Sequence, residues 1–263
     1  MRYDDFATEH LDPILPERVI RYIPSAMGSH ERTIVILTGA GISAESGLPT
    51  FRDKDGLWEG YRVEEVACPQ AFRRNPDLVH RFYNLRRAAL KTVAPNAAHQ
   101  ALARLQREFP GRVILITQNI DDLHERAGSP EVIHMHGELR KVFCAHCGHC
   151  GVWEGDLQTV TSCPQCDRRG GMRPDIVWFG EIPYHMERIE AVLRNADIFA
   201  SIGTSGQVYP AAGFVSLAKI AGARTLEINN AQTLVSGRFD GQFIGPATRE
   251  VPQWVEEVLG GNE

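Results

Sequence analysis

The chain has 263 residues, 43% hydrophobic and 23% charged, the balance of a globular protein with one or two domains and a core that needs no disulfides. Its 28 basic and 33 acidic side chains give a formal charge of −5, which argues against a nucleic-acid backbone binder but leaves protein substrates open. No apolar run nears the ~18 residues of a membrane span, and Met1–His10 lacks the apolar core of a secretory signal, so the expected location is the cytoplasm, without a membrane partner.

In chain order, residues 1–32 read as a polar, partly helical lead-in. Thr33–Leu37 (TIVIL) is an apolar, β-branched run that predicts a buried strand, and Thr38-Gly39-Ala40-Gly41 closes it with a glycine turn. Residues 47–95 are helical and basic. Ala97–Glu108 predicts a helix and Arg112–Thr117 a second strand, ending at Thr117-Gln118-Asn119. Residues 141–172 are rich in Cys, Gly and His and lack a strand or helix period. Asp197–Gly203 predicts a third strand, Ala211–Ala221 a helix and Arg224–Asn229 a fourth strand. This alternation predicts a parallel α/β sheet covered on both faces, with ligands at the carboxyl ends of its strands. The two stretches that break the alternation read as insertions forming a smaller lobe. There is no internal repeat and no low-complexity tract.

Gly39 and Gly41 would permit positive φ and close backbone approach to a phosphate. The next glycine, Gly47, comes six residues later, so the spacing departs from G-x-G-x-x-G and a plain strand-to-helix turn remains open. Beyond it, Thr50-Phe51-Arg52 and Trp58 lie in a loop able to cover a cofactor.

Six cysteines are too few for a disulfide scaffold, but four are paired: Cys144-x-x-Cys147 and, fifteen residues on, Cys163-x-x-Cys166. Two such knuckles can close a tetrahedral zinc site. Reduced, unliganded thiols are the alternative, and Cys150 offers a second C-x-x-C with Cys147. No water-activating residue is evident beside the quartet, so the metal is expected to be structural.

Taken together, the glycine turn, Thr117-Gln118-Asn119-Ile120-Asp121-Asp122-Leu123-His124 and Ile133-His134-Met135-His136-Gly137-Glu138 closely resemble the sirtuin family of NAD-dependent protein lysine deacylases, in its bacterial type. The resemblance runs from about Thr33 to Pro252. It implies a Rossmann-like parallel-sheet lobe in about 33–46, 96–138 and 173–263, and a small zinc-binding plus helical lobe in about 47–95 and 139–172. It implies NAD as co-substrate, one structural zinc on Cys144, Cys147, Cys163 and Cys166, and acylated protein lysines as partners. The implied reaction joins the acyl oxygen to the nicotinamide ribose, expels nicotinamide, and ends in free lysine and O-acyl-ADP-ribose.

Residue by residue, His136 matches the family's catalytic base, with Asn119 and Asp121 beside it in catalysis. His134 is expected to face away, in a core or surface role, and Asp122 to serve a helix N-terminus. The implied NAD contacts are Gly39, Ala40, Gly41, Ile42, Ser43, Glu45, Ser46, Thr50, Phe51, Arg52 and Trp58 around the glycine turn, and Gln118, Asn119, Ile120, Asp121 and His136. Further along they are Gly203-Thr204-Ser205, Asn229-Asn230-Ala231 and Ala247, although Asn230-Ala231 departs from the acidic residue frequent in the family. Val177-Trp178-Phe179-Gly180 resembles the strand that a substrate peptide pairs with.

Phe82, Leu85 and Ala89 would form an apolar helical stripe, with Tyr83 and Arg86, three apart, sharing a neighbouring face. Spacing alone also fits a solvated arginine and a half-buried tyrosine. The pair resembles the Tyr-x-x-Arg of the branch that removes succinyl, malonyl or glutaryl groups, and Thr50 stands where many deacetylases carry Asp. The expected activity is therefore both deacetylation and desuccinylation. Mono-ADP-ribosyl transfer is the alternative within NAD chemistry, and a non-catalytic NAD sensor the alternative outside catalysis.

Overall fold

A computed structural model describes residues 31–50 and 60–261. The lead-in expected over residues 1–32 lies almost wholly outside them, as do Phe51, Arg52 and Trp58. In chain order the regular elements begin with β1 (Thr33–Thr38), α1 (Ala40–Ala44), α2 (Val63–Val66), α3 (Pro69–Arg74), α4 (Pro76–Leu90), α5 (Ala97–Glu108) and β2 (Arg112–Thr117). They continue with α6 (Leu123–Arg126), β3 (Ile133–His134), β4 (Gly137–Cys144), β5 (Cys150–Val152), β6 (Met172–Ile176) and α7 (Met186–Leu193). Last come β7 (Ile198–Ile202), α8 (Phe214–Ile220), β8 (Arg224–Asn229), β9 (Gly241–Ile244) and α9 (Ala247–Gly260).

Six of the strands form one parallel sheet in the order β3-β2-β1-β7-β8-β9. Alternation along β1 divides its side chains between two cores. Ile34 and Ile36 join Leu102 and Leu105 of α5 and Trp254 and Val255 of α9 on one face. Val35 and Leu37 join Ile189 and Leu193 of α7 and Phe214 and Val215 of α8 on the other. Both faces are thus covered, which is why the strands read as unbroken apolar runs. Strand order reverses between β1 and β7, and that switch point opens a crevice at the carboxyl ends.

The smaller lobe is built on an antiparallel sheet, β5-β4-β6. On one side it meets α2–α4 through Val66, Phe82, Tyr83, Leu139, Ile176 and Trp178. On the other, Val142, Leu157 and Met172 pack with Cys144 and Cys163. Local signals start its longest helix: Asn75 accepts from the Leu78 N–H, and Pro76 follows in the first turn.

Three expectations change. Residues 141–172 contain the end of β4 and all of β5, both too short to show a period. The helix expected over Ala211–Ala221 is a 3-10 turn, Ala211–Gly213, followed by α8. The stripe Phe82–Leu85–Ala89 is not the buried face of α4: Leu85 is 59% exposed, while Val79, Phe82, Tyr83, Arg86 and Leu90 face inward.

Candidate active site

A cavity of about 500 Å³ lies where the carboxyl ends of β1, β2, β7 and β8 face the smaller lobe. Its walls carry Gly39, Ala40, Gly41 and Ser43 after β1, and Gln118, Asn119, Ile120 and Asp121 after β2. His136 enters between β3 and β4, and Gly203, Thr204, Ser205, Asn229 and Asn230 come from the tips of β7 and β8. The smaller lobe adds Tyr83, Arg86 and Val177–Gly180, and Thr50 lines the rim.

Among the described residues, five expected contacts are not on these walls. Ile42 is fully buried in the sheet core. Glu45 turns to α9, where it accepts from the Thr248 N–H (3.1 Å) and hydroxyl (2.8 Å). Ser46 accepts from Asn96 Nδ2 at 3.0 Å. Ala231 is exposed beyond β8, and Ala247 is buried at the start of α9. A helix-opening segment presents only some of its side chains to a ligand, and the others fasten it to the scaffold.

The glycines act differently from the expectation. Gly39 is extended, at φ −130°, and opens α1; neither it nor Gly41 has positive φ. Their smallness serves the junction of β1 and β7. A Cβ on Gly39 would lie 2.9 Å from the Gly203 oxygen, and one on Gly41 would lie 2.7 Å from Gly203 Cα. The left-handed residue is Gly203, at φ +62°. These contacts close the floor of the crevice and leave the main chain of both turns on the cavity wall.

The segment after β2 is held from beneath. Asn119 Nδ2 donates to Ser43 Oγ (3.1 Å), which donates to Asp121 Oδ2 (3.0 Å). The Leu123 N–H bonds the other Asp121 oxygen at 3.1 Å. Burial pushes the Asp121 carboxyl above the ordinary carboxylate range, against the pull of these two donors. His136 Nδ1 donates to the Gln118 carbonyl at 3.0 Å, which makes Nε2 the lone-pair nitrogen of the neutral ring. Burial holds this imidazole below the usual histidine value, and the bond to Gln118 opposes that shift.

His134 does face elsewhere. Alternation would place residues two apart on one face. The strand instead ends at His134, and the chain turns through Met135 and His136.

Tyr83 is 1% and Arg86 9% exposed, so the solvated-arginine reading fails. The Tyr83 hydroxyl accepts from the Trp178 indole at 3.0 Å, and Arg86 donates to the Phe82 carbonyl at 3.0 Å with its guanidinium over the Phe82 ring. In turn Trp178 is fixed by Glu181, which accepts from its N–H, and by Arg173, stacked on the indole and paired with Glu181.

Cys144, Cys147, Cys163 and Cys166 converge, with all four sulfurs within 4.8 Å of one another. The separations Cys144–Cys166 (3.9 Å) and Cys147–Cys163 (3.7 Å) match the edge of about 3.8 Å of a tetrahedron with Zn–S bonds of about 2.3 Å. Cys150 stands outside the quartet and donates to Asp175 Oδ2 at 3.1 Å. Four sulfurs close the shell and leave no position for substrate, so the site fits a structural ion.

The Sir2 family profile matches residues 39–210, from the glycine turn through the quartet to beyond β7. The chain belongs to the Sir2 family. A Bdellovibrio bacteriovorus protein named NAD-dependent protein deacylase is 58% identical to this sirtuin over 230 residues, 87% of this chain and 97% of the relative. The protein of that name in Escherichia coli K12 is 51% identical over 243 residues, 92% of this chain and 86% of the relative. A solved Sir2 homolog in complex with NAD is 42% identical, with a TM-score of 0.79 over 87% of this chain and 90% of the other.

Beneath the cavity this sirtuin carries a buried polar layer that the sequence reading missed. His124 Nε2 lies 3.0 Å from Thr38 Oγ1, which donates to Thr117 Oγ1 at 2.9 Å, and Thr117 Oγ1 accepts from the Asn119 N–H at 3.0 Å. His99 Nε2 lies 3.4 Å from Ser43 Oγ. The available signal was a threonine closing each of two apolar strands; Thr38 and Thr117 are register partners.

Proposed function

We propose that this sirtuin removes acyl groups from protein lysines with NAD as co-substrate, and that its acyl range includes acetyl and acidic acyls such as succinyl and malonyl. The observation that carries this reading is that Tyr83 and Arg86 share one cavity wall system with His136, Asn119 and Asp121. A guanidinium and a phenol beside a reactive centre suit a carboxylate at the far end of an acyl chain.

Bound NAD supplies an electrophilic ribose carbon with nicotinamide as its leaving group. The turns after β1, β7 and β8 offer it main-chain donors, the hydroxyls of Thr204 and Ser205, and Asn229 and Asn230. Asn119 and Asp121, fixed through Ser43, orient the ribose and the nicotinamide amide. His136 takes a proton from a ribose hydroxyl at Nε2, because Nδ1 is committed to Gln118 and the ring is neutral near pH 7. The peptide lies along Val177–Gly180, the turn that follows β6 on the cavity wall, where contacts to main chain read little of its sequence. Selectivity then rests in the acyl end of the cavity.

A mass-spectrometric time course with purified zinc-loaded protein, NAD and matched acetyl-lysine and succinyl-lysine peptides tests this. The expected result is loss of both acyl groups, strictly dependent on NAD, with equimolar nicotinamide and O-acyl-ADP-ribose. Mass added to the acceptor, with the acyl group retained, would overturn deacylation in favour of ADP-ribosyl transfer.

A further inference from the structure

We propose that His134 is a positioning residue for this chemistry: an imidazolium clamped between the Asn119 carbonyl and the Glu125 carboxylate, gripping both ends of the turn that presents Asn119 and Asp121 beside His136. The inference rests on the deacylase reading for its kinetic consequence and on geometry alone for the clamp.

Four successive carbonyls, starting at Thr117, the last residue of β2, are all held by one segment. The Met135 N–H donates to Thr117 (3.1 Å), His136 Nδ1 to Gln118 (3.0 Å), His134 Nδ1 to Asn119 (3.4 Å) and the Leu139 N–H to Ile120 (2.8 Å). Only the Asn119 bond depends on a second partner. His134 Nε2 lies 2.7 Å from Glu125 Oε1, on α6, just past the turn. A carbonyl and a carboxylate both accept and neither donates. Both ring nitrogens must therefore carry protons, and the ring is charged. A neutral ring keeps one of the two bonds and releases one end of the turn.

The surroundings sustain that charge. His134 is 7% exposed and is absent from the cavity wall, so it acts through Asn119 and Asp121. Burial opposes its protonation, but the Glu125 carboxylate, Glu138 from β4 and the Asn119 carbonyl outweigh burial and raise its pKa above the ordinary histidine value. The other titratable groups facing it are Asp121, whose carboxylate the cation favours, and His124, which it helps keep neutral. Two histidines two residues apart thus hold opposite protonation states: His136 neutral to accept a proton, His134 charged to hold the loop.

The test combines an NMR titration of the His134 ring in the full zinc-loaded chain with kcat/KM for NAD from pH 6 to 9.5. In the wild type, His134 should titrate above 6.5 and the rate should fall along an alkaline limb at that same pKa. Glu125→Gln alters an exposed side chain and should fold; it should move both the titration and the limb down by about one pH unit or more. His134→Gln, which has no proton to lose and a single nitrogen in place of two ring nitrogens on opposite sides, should abolish the limb and run several-fold slower. The acid limb belonging to His136 should stay in place in all three. A His134 that titrates at or below 6.5 overturns the clamp. So does an alkaline limb that stays put in both variants while only the melting temperature falls. Absence of deacylation in the wild type would overturn the function instead, and the His134 titration would still decide the clamp.

Discussion

As the proposed base, His136 needs a lone pair aimed at the cavity and a pKa low enough to keep it at neutral pH; the Gln118 carbonyl sets the first and burial the second. The rate should therefore climb with pH through a value below 6.5 and be flat above it, until the alkaline limb argued for His134. His136→Ala should lower kcat by about 10²–10⁴-fold with the fold intact by circular dichroism; near-normal turnover would remove the base assignment. On the proposed reading, Tyr83 and Arg86 govern a different quantity. Charged hydrogen bonds are worth ~1.5–3 kcal/mol each, so Tyr83→Phe with Arg86→Met should cut kcat/KM for a succinyl peptide at least tenfold more than for an acetyl peptide. Equal losses would make the pair structural. At this scale the sequence was legible where the expected residues come together, as Asn119 and His136 do on one cavity wall and the four paired cysteines do around one point. It was opaque wherever a side chain of similar polarity serves the scaffold: Glu45 caps α9 and Ser46 bonds Asn96, and nothing in their spacing separates them from Ser43.

Among the elements, the zinc knuckles are the sharpest case. The small core under β4–β6 is Val142, Leu157 and Met172 with Cys144 and Cys163, and half-buried Trp153 and Cys166 against them, too little to hold the knuckles without a cross-link. Cys163→Ser should lose the metal and lower the melting temperature. Cys150→Ser should retain one zinc per chain, because Cys150 is bonded to Asp175 outside the tetrahedron. Metal content by mass spectrometry decides it: loss of zinc in Cys150→Ser would place that thiol in the shell. In the parallel sheet β1, β2, β7 and β8 were readable because burial on both faces favours β-branched and apolar side chains, whereas β3 is only two residues long. β9 and α9 were not: β9 alternates exposed and half-buried residues over Gly241–Ile244, and α9 carries Pro252 in its interior, which reads as a break. β5 is shorter than any period that could announce it.

The whole molecule joins its two lobes over a polar floor, and that floor sets its response to acid. Burial lowers His99 to about 4 and holds His124 well below the usual histidine value, with the neighbouring imidazoles adding to the effect on His124. Their rings stand 4.9 Å apart, one bonded toward Ser43 and the other to Thr38, under the segments that carry the reaction. Once unfolded, each protonates near 6.5. Below that pH the unfolded chain binds protons that the folded chain does not accept until the pH reaches the lowered value. Stability is therefore fully present above about 6.5 and falls as pH drops toward 4, at up to about 1.4 kcal/mol per pH unit for each histidine. His80, lowered by burial to about 4, acts in the same sense. Asp121, raised by burial, opposes them with one group. His134 does not contribute in this window: a raised pKa gives stability that is complete below 6.5 and lost only as pH rises. Melting temperature measured from pH 6.5 to 4.5, below the range in which His134 acts, should descend as the pH falls. His99→Gln, which keeps a donor and cannot be protonated, should shallow the descent by one histidine's share. A melting temperature that is level down to 4.5, or a slope unchanged by His99→Gln, would mean that the layer beneath the active site admits protons in the folded state.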